Sequence, residues 1–515
     1  MDFAEREQQK KRHLVRVILA EVAMVLAVIF IVVITLLITM GFFVTSDGRI
    51  EQTGLIQIHS IPTGASVTID GETIFSRTNL SRSLTAGEHH LKLSRDGYDT
   101  WEKTVKMYSG LLIRLYYPRL FLERRTPEAM LTIAEELEFY SVSSERNFIL
   151  YATTDSPIWQ LVNIASDTIK TTSIDLTDIL PSIEQQQFTG HIASLTWNAG
   201  GDTVLAAVDA ADTREWLLIN LKNPDSSLNL TRTFGFNFDQ VELINDTTNQ
   251  LFVLENHHLR RIDIPSRQIS GVLLDEIETF SSQGSNLLYL TLPQPTDTGS
   301  IRELGAYRDG ESHGTILTSA SSDAHFTIAL AHYYDNDYLA YTIDDRLFVY
   351  QGSLPSYNES ATDPLGSLEP LIDAATLTEI PATLTASPDN GYIIAQRDQA
   401  LTVVDLEIGD LYAYDAPESQ VYWLDAGMFY SVTDRELTVW DYDGSNSRIL
   451  VATATDNETS NATQSESNPD LPAVTTLSDS PLVARPIVIT SNNKWLYYLT
   501  RHDDAYVLTR EQIWD

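Results

Sequence analysis

The spacing of apolar and polar positions divides the chain into three stretches. No charged residue interrupts Val22 to Phe43, a run that begins Val22-Ala23-Met24-Val25-Leu26 and ends Met40-Gly41-Phe42-Phe43. At about 1.5 Å per residue a helix of that length reaches about 30 Å, the hydrocarbon thickness of a bilayer. A buried globular helix rarely stays apolar on every face for so long. The pattern therefore predicts a single transmembrane helix over residues 17–44. A cleaved signal peptide would have a shorter apolar core, about 7 to 15 residues, and a small-x-small cleavage site. Phe42-Phe43-Val44-Thr45 offers no such site, so the expectation is an uncleaved signal anchor.

The second stretch changes period. Gly54-Leu55-Ile56-Gln57-Ile58 and Ala65-Ser66-Val67-Thr68-Ile69 alternate on either side of Pro62-Thr63-Gly64, and Asp70-Gly71 closes a further turn. Asp hydrogen-bonds its own backbone and Gly tolerates positive φ, so this reads as strand, turn, strand, turn. Ala86-Gly87-Glu88-His89-His90-Leu91-Lys92-Leu93 repeats the scheme, followed by Gly97-Tyr98, Trp101, Lys103-Thr104-Val105-Lys106-Met107 and Leu111-Leu112-Ile113-Arg114-Leu115. About 65 residues of short strands predict a small β-sandwich.

These residues carry a specific resemblance. The order Ser60-Ile61-Pro62-Thr63-Gly64-Ala65-Ser66-Val67-Thr68-Ile69-Asp70-Gly71, then Ala86-Gly87-Glu88-His89 and Gly97-Tyr98, resembles the PEGA domain family over residues 54–119. Thr63 stands where the family's name has Glu, and Arg77-Thr78-Asn79-Leu80 replaces the usual Thr-Pro. The resemblance implies an exterior β-sandwich of bacterial or archaeal envelope proteins, set beside a membrane helix and without a known active site.

The third stretch opens with Glu128 to Glu136, whose composition is helical, and then becomes a long series of short strands. Units recur about every 35 to 50 residues: an apolar strand, a polar turn, an aromatic-rich strand, and a third strand ending in Asp. Polar turns at Ser143–Asn147, Asn198–Asp202, Asn245–Asn249, Ser282–Asn286, Tyr334–Asp337, Ser387–Asn390, Asp425–Gly427 and Ser491–Lys494 mark eight candidate units. The last is short and could complete a ring with the first, leaving seven or eight blades open. In pattern, though not in exact motif, residues 128–515 resemble WD-repeat and Tol-type β-propellers. The predicted fold is thus an all-β exterior region, PEGA-like sandwich plus seven- or eight-bladed propeller, on one transmembrane helix. Residues 453–482, rich in Ser, Thr, Asn, Asp and Glu and without an aromatic residue, are expected to form a disordered loop within the last blades.

Charge sets the orientation and narrows the partners. Arg6, Lys10, Lys11, Arg12 and Arg16 precede the apolar run, so residues 1–16 are expected in the cytoplasm and the C-terminal region outside the cell membrane. The net charge of −37 argues against nucleic acid as a partner. Residues 54–119 hold eight Lys/Arg and six Asp/Glu, so the acidity lies almost wholly beyond them. With no cysteine there are no disulfides, no thiolate nucleophile and no Cys-ligated metal.

No local motif carries chemistry. The chain has no Gly-rich phosphate loop, His-Glu-x-x-His helix or Gly-x-Ser-x-Gly elbow. Glu21 reads as an interfacial carboxylate near His13 and Arg16. His89 and His90 are adjacent on a strand, so their imidazoles diverge rather than share a metal. Asp441-Tyr442-Asp443-Gly444-Ser445-Asn446 has alternating oxygen donors but lacks the downstream Glu of an EF-hand, and reads as a turn, as do Asp335-Asn336-Asp337 and Asp344-Asp345. The expectation has no catalytic, cofactor or metal residue. It is a non-enzymatic envelope protein, a scaffold or binder of an envelope protein or glycan. The alternatives are a hydrolase or lyase with its site assembled from separate blades, and an extracytoplasmic sensor.

Overall fold

The computed structural model describes residues 20–36, 42–44 and 50–515, apart from 181, 184–186, 189, 211–212, 245–246, 298, 358–364, 367, 419, 434, 454–474, 478–486 and 503–504. The chain forms two compact units, Met1–Phe121 and Leu122–Asp515.

In the first unit residues 20–36 are helical with every residue exposed. Among the described residues no helix is long and apolar enough to cross a membrane. Residues 1–19 and 37–41, which include the expected cytoplasmic segment and parts of the expected span, lie outside the described residues. Phe42–Val44 corrects the end of that span, because it is a strand and pairs with Ile50–Gln52. Aromatic and β-branched residues suit the pleated edge of a neighbouring strand, and here that edge prevails over helical continuation.

Two four-stranded sheets build the sandwich expected over residues 54–119. One contains Phe42–Val44, Ile50–Ile58, Leu80–Thr85 and Leu112–Leu115. The other contains Glu72–Arg77, Ser66–Ile69, Gly87–Ser94 and Trp101–Met107. The period of two turns Val67, Ile69, Leu91, Leu93, Val105 and Met107 inward against Ile56, Ile58, Ile113 and Leu115, with Trp101 fully buried among them. Each such side chain contributes about 1.5–3 kcal/mol on burial. Gly54 is required by a close approach, since a Cβ there would lie 2.3 Å from the Tyr108 carbonyl oxygen. The departure at Arg77-Thr78-Asn79 is held by the Thr78 hydroxyl. It accepts from the Ala65 N–H at 3.0 Å and lies 2.6 Å from the Ser60 hydroxyl.

Among the described residues the second unit is a β-propeller of eight blades, with a further two-stranded sheet, Ser182–Ile183 and Gln187–Phe188, between the first blade and the second in sequence. Blade 1 is Leu137–Val142, Phe148–Thr153, Ile158–Asn163 and Lys170–Asp175; the later blades repeat this meander, blade 4 with the added strand Gln294–Thr296 and blade 7 with the added strand Thr475–Leu477. The first strands of neighbouring blades touch one another, as 137–142 does 191–197 and 326–333 does 383–386, so they are innermost. The second strands are sandwiched between blades and buried on both faces. They therefore read as unbroken apolar runs, such as Ile149-Leu150-Tyr151-Ala152 and Leu251-Phe252-Val253-Leu254. The cores lie between blades: Leu150, Trp159, Val204 and Leu217 pack blade 1 on blade 2, and Ala340, Val349, Ile393 and Val404 pack blade 5 on blade 6.

Blade 8 settles the count. Val488–Ile489, Trp495–His502 and Ala505–Gln512 are completed by Glu128–Ile133, in register Tyr506↔Ile133 and Arg510↔Glu128. The expected helical segment at 128–136 is thus corrected to a closing strand; pairing with a distant edge prevails over local helix propensity. Of the expected disordered loop, Thr475–Leu477 is a strand running parallel to Val451–Thr453. Residues 454–474 and 478–482 lie outside the described residues.

The eight polar turns lie in the first hairpins of the eight blades, and in four of them the same device recurs. Ser143, Asn198, Ser387 and Thr490 each accept, through the side chain, from a backbone N–H five residues on. Their carbonyls accept from Arg146, Gly201, Asn390 and Asn493, all at positive φ. Third strands end in Asn163, Asn220, Asp263, Asp405 and Asp441, and the first four of these carboxylates or amides accept N–H groups of the following turn.

Candidate binding surface on the propeller

In an antiparallel meander the first and third turns share one rim and the second turn lies on the other. On the first rim, blades 5 to 7 bring together residues from turns far apart in sequence. Tyr333-Tyr334 comes from the first turn of blade 5 (Phe326–Tyr333, then Asn336–Ile343), and Asp389 and Tyr392 from that of blade 6. Asp405, Asp410 and Tyr412 flank the third turn of blade 6, and Tyr442 and Asp443 lie on that of blade 7.

The rings are in contact across blades. Tyr392 lies 4.3 Å from Tyr442 and stacks at 6.1 Å on Trp423, Tyr412 meets Tyr442 edge-on at 5.3 Å, and Tyr333 lies 4.4 Å from Tyr334. The Tyr333 ring lies against Gly391 of blade 6, 3.4 Å from where a Cβ would stand, which is ordinary contact distance. Tyr334 is 62% exposed. Burial, and then the charges of Asp405 and Asp389, hold the Tyr392 phenol well above its usual value. Tyr333 is raised by burial, its neighbour Tyr334 and the same two carboxylates. Tyr412 is raised by burial, with Asp405, Asp410 and Asp443 adding to it against a bond from Tyr442 that lowers it. All three phenols are therefore neutral at physiological pH, and the surface charge is that of the carboxylates.

The residues singled out from sequence fall elsewhere or serve the backbone. Glu21 is exposed on helix 20–36. His89 is held between Asp70, 2.7 Å from Nδ1, and the Thr85 carbonyl, 2.9 Å from Nε2, whereas His90 approaches Glu102 at 3.6 Å; the two imidazoles have separate partners. In the 441–446 loop Asp443 accepts from the Ser445 N–H and hydroxyl, and Asn446 donates to Asp441 at 2.9 Å, which is turn chemistry. Asp337 lies 2.8 Å from His332 and accepts from Asn286, and Asp344 accepts from the His325 N–H. Among the described residues no cluster of three or more His, Cys, Asp or Glu is placed to hold a metal ion. The tyrosine cluster itself was not singled out from sequence; the available signal was that Tyr334, Tyr392, Tyr412 and Tyr442 each adjoin a polar turn.

No curated protein matches the chain. In structure the propeller is similar to the Swd1 β-propeller domain of Myceliophteria thermophila (14% identity, 63% of this chain and 99% of that one, TM-score 0.36). It is also similar to an oligogalacturonate lyase in complex with manganese (12%, 70% and 97%, 0.38) and to apo AztD from Citrobacter koseri (10%, 75% and 94%, 0.36). At that distance the propeller assignment rests on the sheets and their closure. For the first unit, residues 53–118 match the PEGA domain family, so the chain combines a PEGA domain with a β-propeller.

Proposed function

We propose that this chain is a membrane-anchored, extracytoplasmic binding protein without catalytic activity, in which the N-terminal helix anchors and the propeller presents its rim to an envelope protein or glycan. The observation that carries the reading is the uncharged run Val22 to Phe43, of which residues 22–36 are helical with every residue exposed, joined to a PEGA domain and a propeller. Apolar side chains exposed on all faces of a helix are costly in water and stable in lipid. The basic residues before the run keep the N-terminus in the cytoplasm.

The test is membrane fractionation of the full chain, followed by protease treatment of intact cells and capture from envelope extracts. Release of the chain by carbonate washing would sink the anchor, and protection of the propeller from external protease would sink the orientation. Retention of a protein or polymer by the full chain, with no turnover of envelope glycans, is the expected result.

A further inference from the structure

Resting on the binding reading, we propose that the rim of blades 5 to 7 recognises a cationic side chain, lysine ammonium or arginine guanidinium, presented by a partner protein. Tyr333 of blade 5, Tyr392 and Tyr412 of blade 6 and Tyr442 of blade 7 lie along this rim with Asp389, Asp405 and Asp443, so the rings come from three blades that are consecutive around the propeller. An aromatic face attracts a cation through its quadrupole, and a carboxylate beside it adds a charge-assisted hydrogen bond.

Charge distinguishes this ligand from the other occupant that aromatic rings accept. Residues 1–121 carry 14 Lys/Arg and 12 Asp/Glu, a net of +2, so residues 122–515 carry −37 − 2, or −39. Such a field draws cationic partners and repels anionic ones. A neutral sugar stacks on tyrosine but gains nothing from the carboxylates as charges.

The site is separable from general attraction to an acidic protein. The full chain in detergent micelles would be titrated calorimetrically with a hexa-arginine peptide at about 150 mM salt, where distant charges are largely screened. Asp389→Asn with Asp443→Asn removes two charges from the site while keeping the oxygens that accept from Gly391 and Ser445. Asp155→Asn with Asp398→Asn removes two charges from second turns on the other rim, at positive-φ positions that Asn tolerates. The site pair should weaken binding about tenfold, as expected for about 1.4 kcal/mol, and the control pair less than about twofold. Tyr334→Ala should also weaken binding, with the thermal midpoint unchanged.

Equal losses from both charge pairs would overturn the site, and so would saturable binding of maltohexaose in place of the peptide. The peptide titration and the envelope capture fail independently. A specific peptide site with nothing captured leaves the rim chemistry standing, and capture insensitive to the site variants assigns the partner to another face.

Discussion

Ring closure depends on a buried ion pair whose removal has a calculable effect. Arg125 and Glu511 have side chains 3% and 0% exposed and meet at 3.2 Å. Glu511 also accepts from the Tyr498 hydroxyl at 2.6 Å. The Arg125 guanidinium donates to the Leu122 carbonyl at 2.6 Å and to the Leu450 carbonyl at 2.7 Å. It thus ties the segment entering the closing strand Glu128–Ile133 to the last strand, Ala505–Gln512, and to the outer part of blade 7. Glu511→Leu leaves a guanidinium buried without its counter-charge and should cost about 3–5 kcal/mol. Arg125→Met strands the carboxylate and should cost a similar amount.

The double variant Arg125→Met, Glu511→Leu removes both charges and forfeits the two bonds to carbonyls, at about 1 kcal/mol each. It should therefore be at least about 2 kcal/mol more stable than the sum of the single losses requires. Guanidinium unfolding followed by circular dichroism measures this as shifts of the midpoint at constant m-value. Additive losses, or single losses below about 1 kcal/mol, would refute the coupling and with it the clasp.

Three further outcomes follow from local geometry. Tyr289 is wedged against Gly305 and Gly314, where a Cβ would come within 2.2 Å of its ring or hydroxyl, and burial pushes its phenol up to about 12. Gly305→Ala should therefore cost about 1–3 kcal/mol in midpoint-derived stability, with partial recovery when Tyr289 is shortened to Leu. Asn493 holds φ 57 in the first turn of blade 8, so Asn493→Val should cost about 1–2 kcal/mol and Asn493→Gly little, by thermal unfolding. The Glu242 carboxyl is pushed above its usual range by burial, against bonds from Ser282 and Gln240 that lower it. A raised folded value means its contribution is intact below about 4.5 and lost as pH rises through that value. The stability of Glu242→Gln relative to the native chain should then improve from pH 4 to pH 8; a constant difference would contradict the assignment.

What could be read in the sequence was what is local. Alternation at Val67-Thr68-Ile69 and Leu91-Lys92-Leu93 announces half-buried strands because one side of each faces the sandwich core. The polar turns announce the blades because positive φ and side-chain caps confine those positions to Asn, Gly, Ser, Asp and a few others. Glu128-Ala129-Met130-Leu131 misled because its residues favour helix in isolation, while its partner Leu508-Thr509-Arg510 lies at the far end of the chain. The tyrosine cluster stayed hidden for the same reason: Tyr333 and Tyr442 come within one aromatic neighbourhood only after three blades are stacked.

The acidity of the propeller has two physical roles, and separating them narrows the functional question. Asp175, Asp263, Asp389, Asp425 and Asp443 each accept backbone N–H groups within their own turns, and hydrogen bonding holds Asp175 and Asp263 below the usual carboxylate range. These five charges are therefore explained by turn chemistry, which Asn performs equally well at 163, 198 and 220. Asn would fold the same turns without the field. Where Asp stands instead of Asn, the surplus is an electrostatic property of the surface, and at blades 5 to 7 it coincides with aromatic rings from three blades. Replacing turn Asp by Asn at 389 and 443 therefore keeps the acceptors of both turns while removing two charges beside the rings, which makes those two positions a sharp separation of structure from recognition in this molecule.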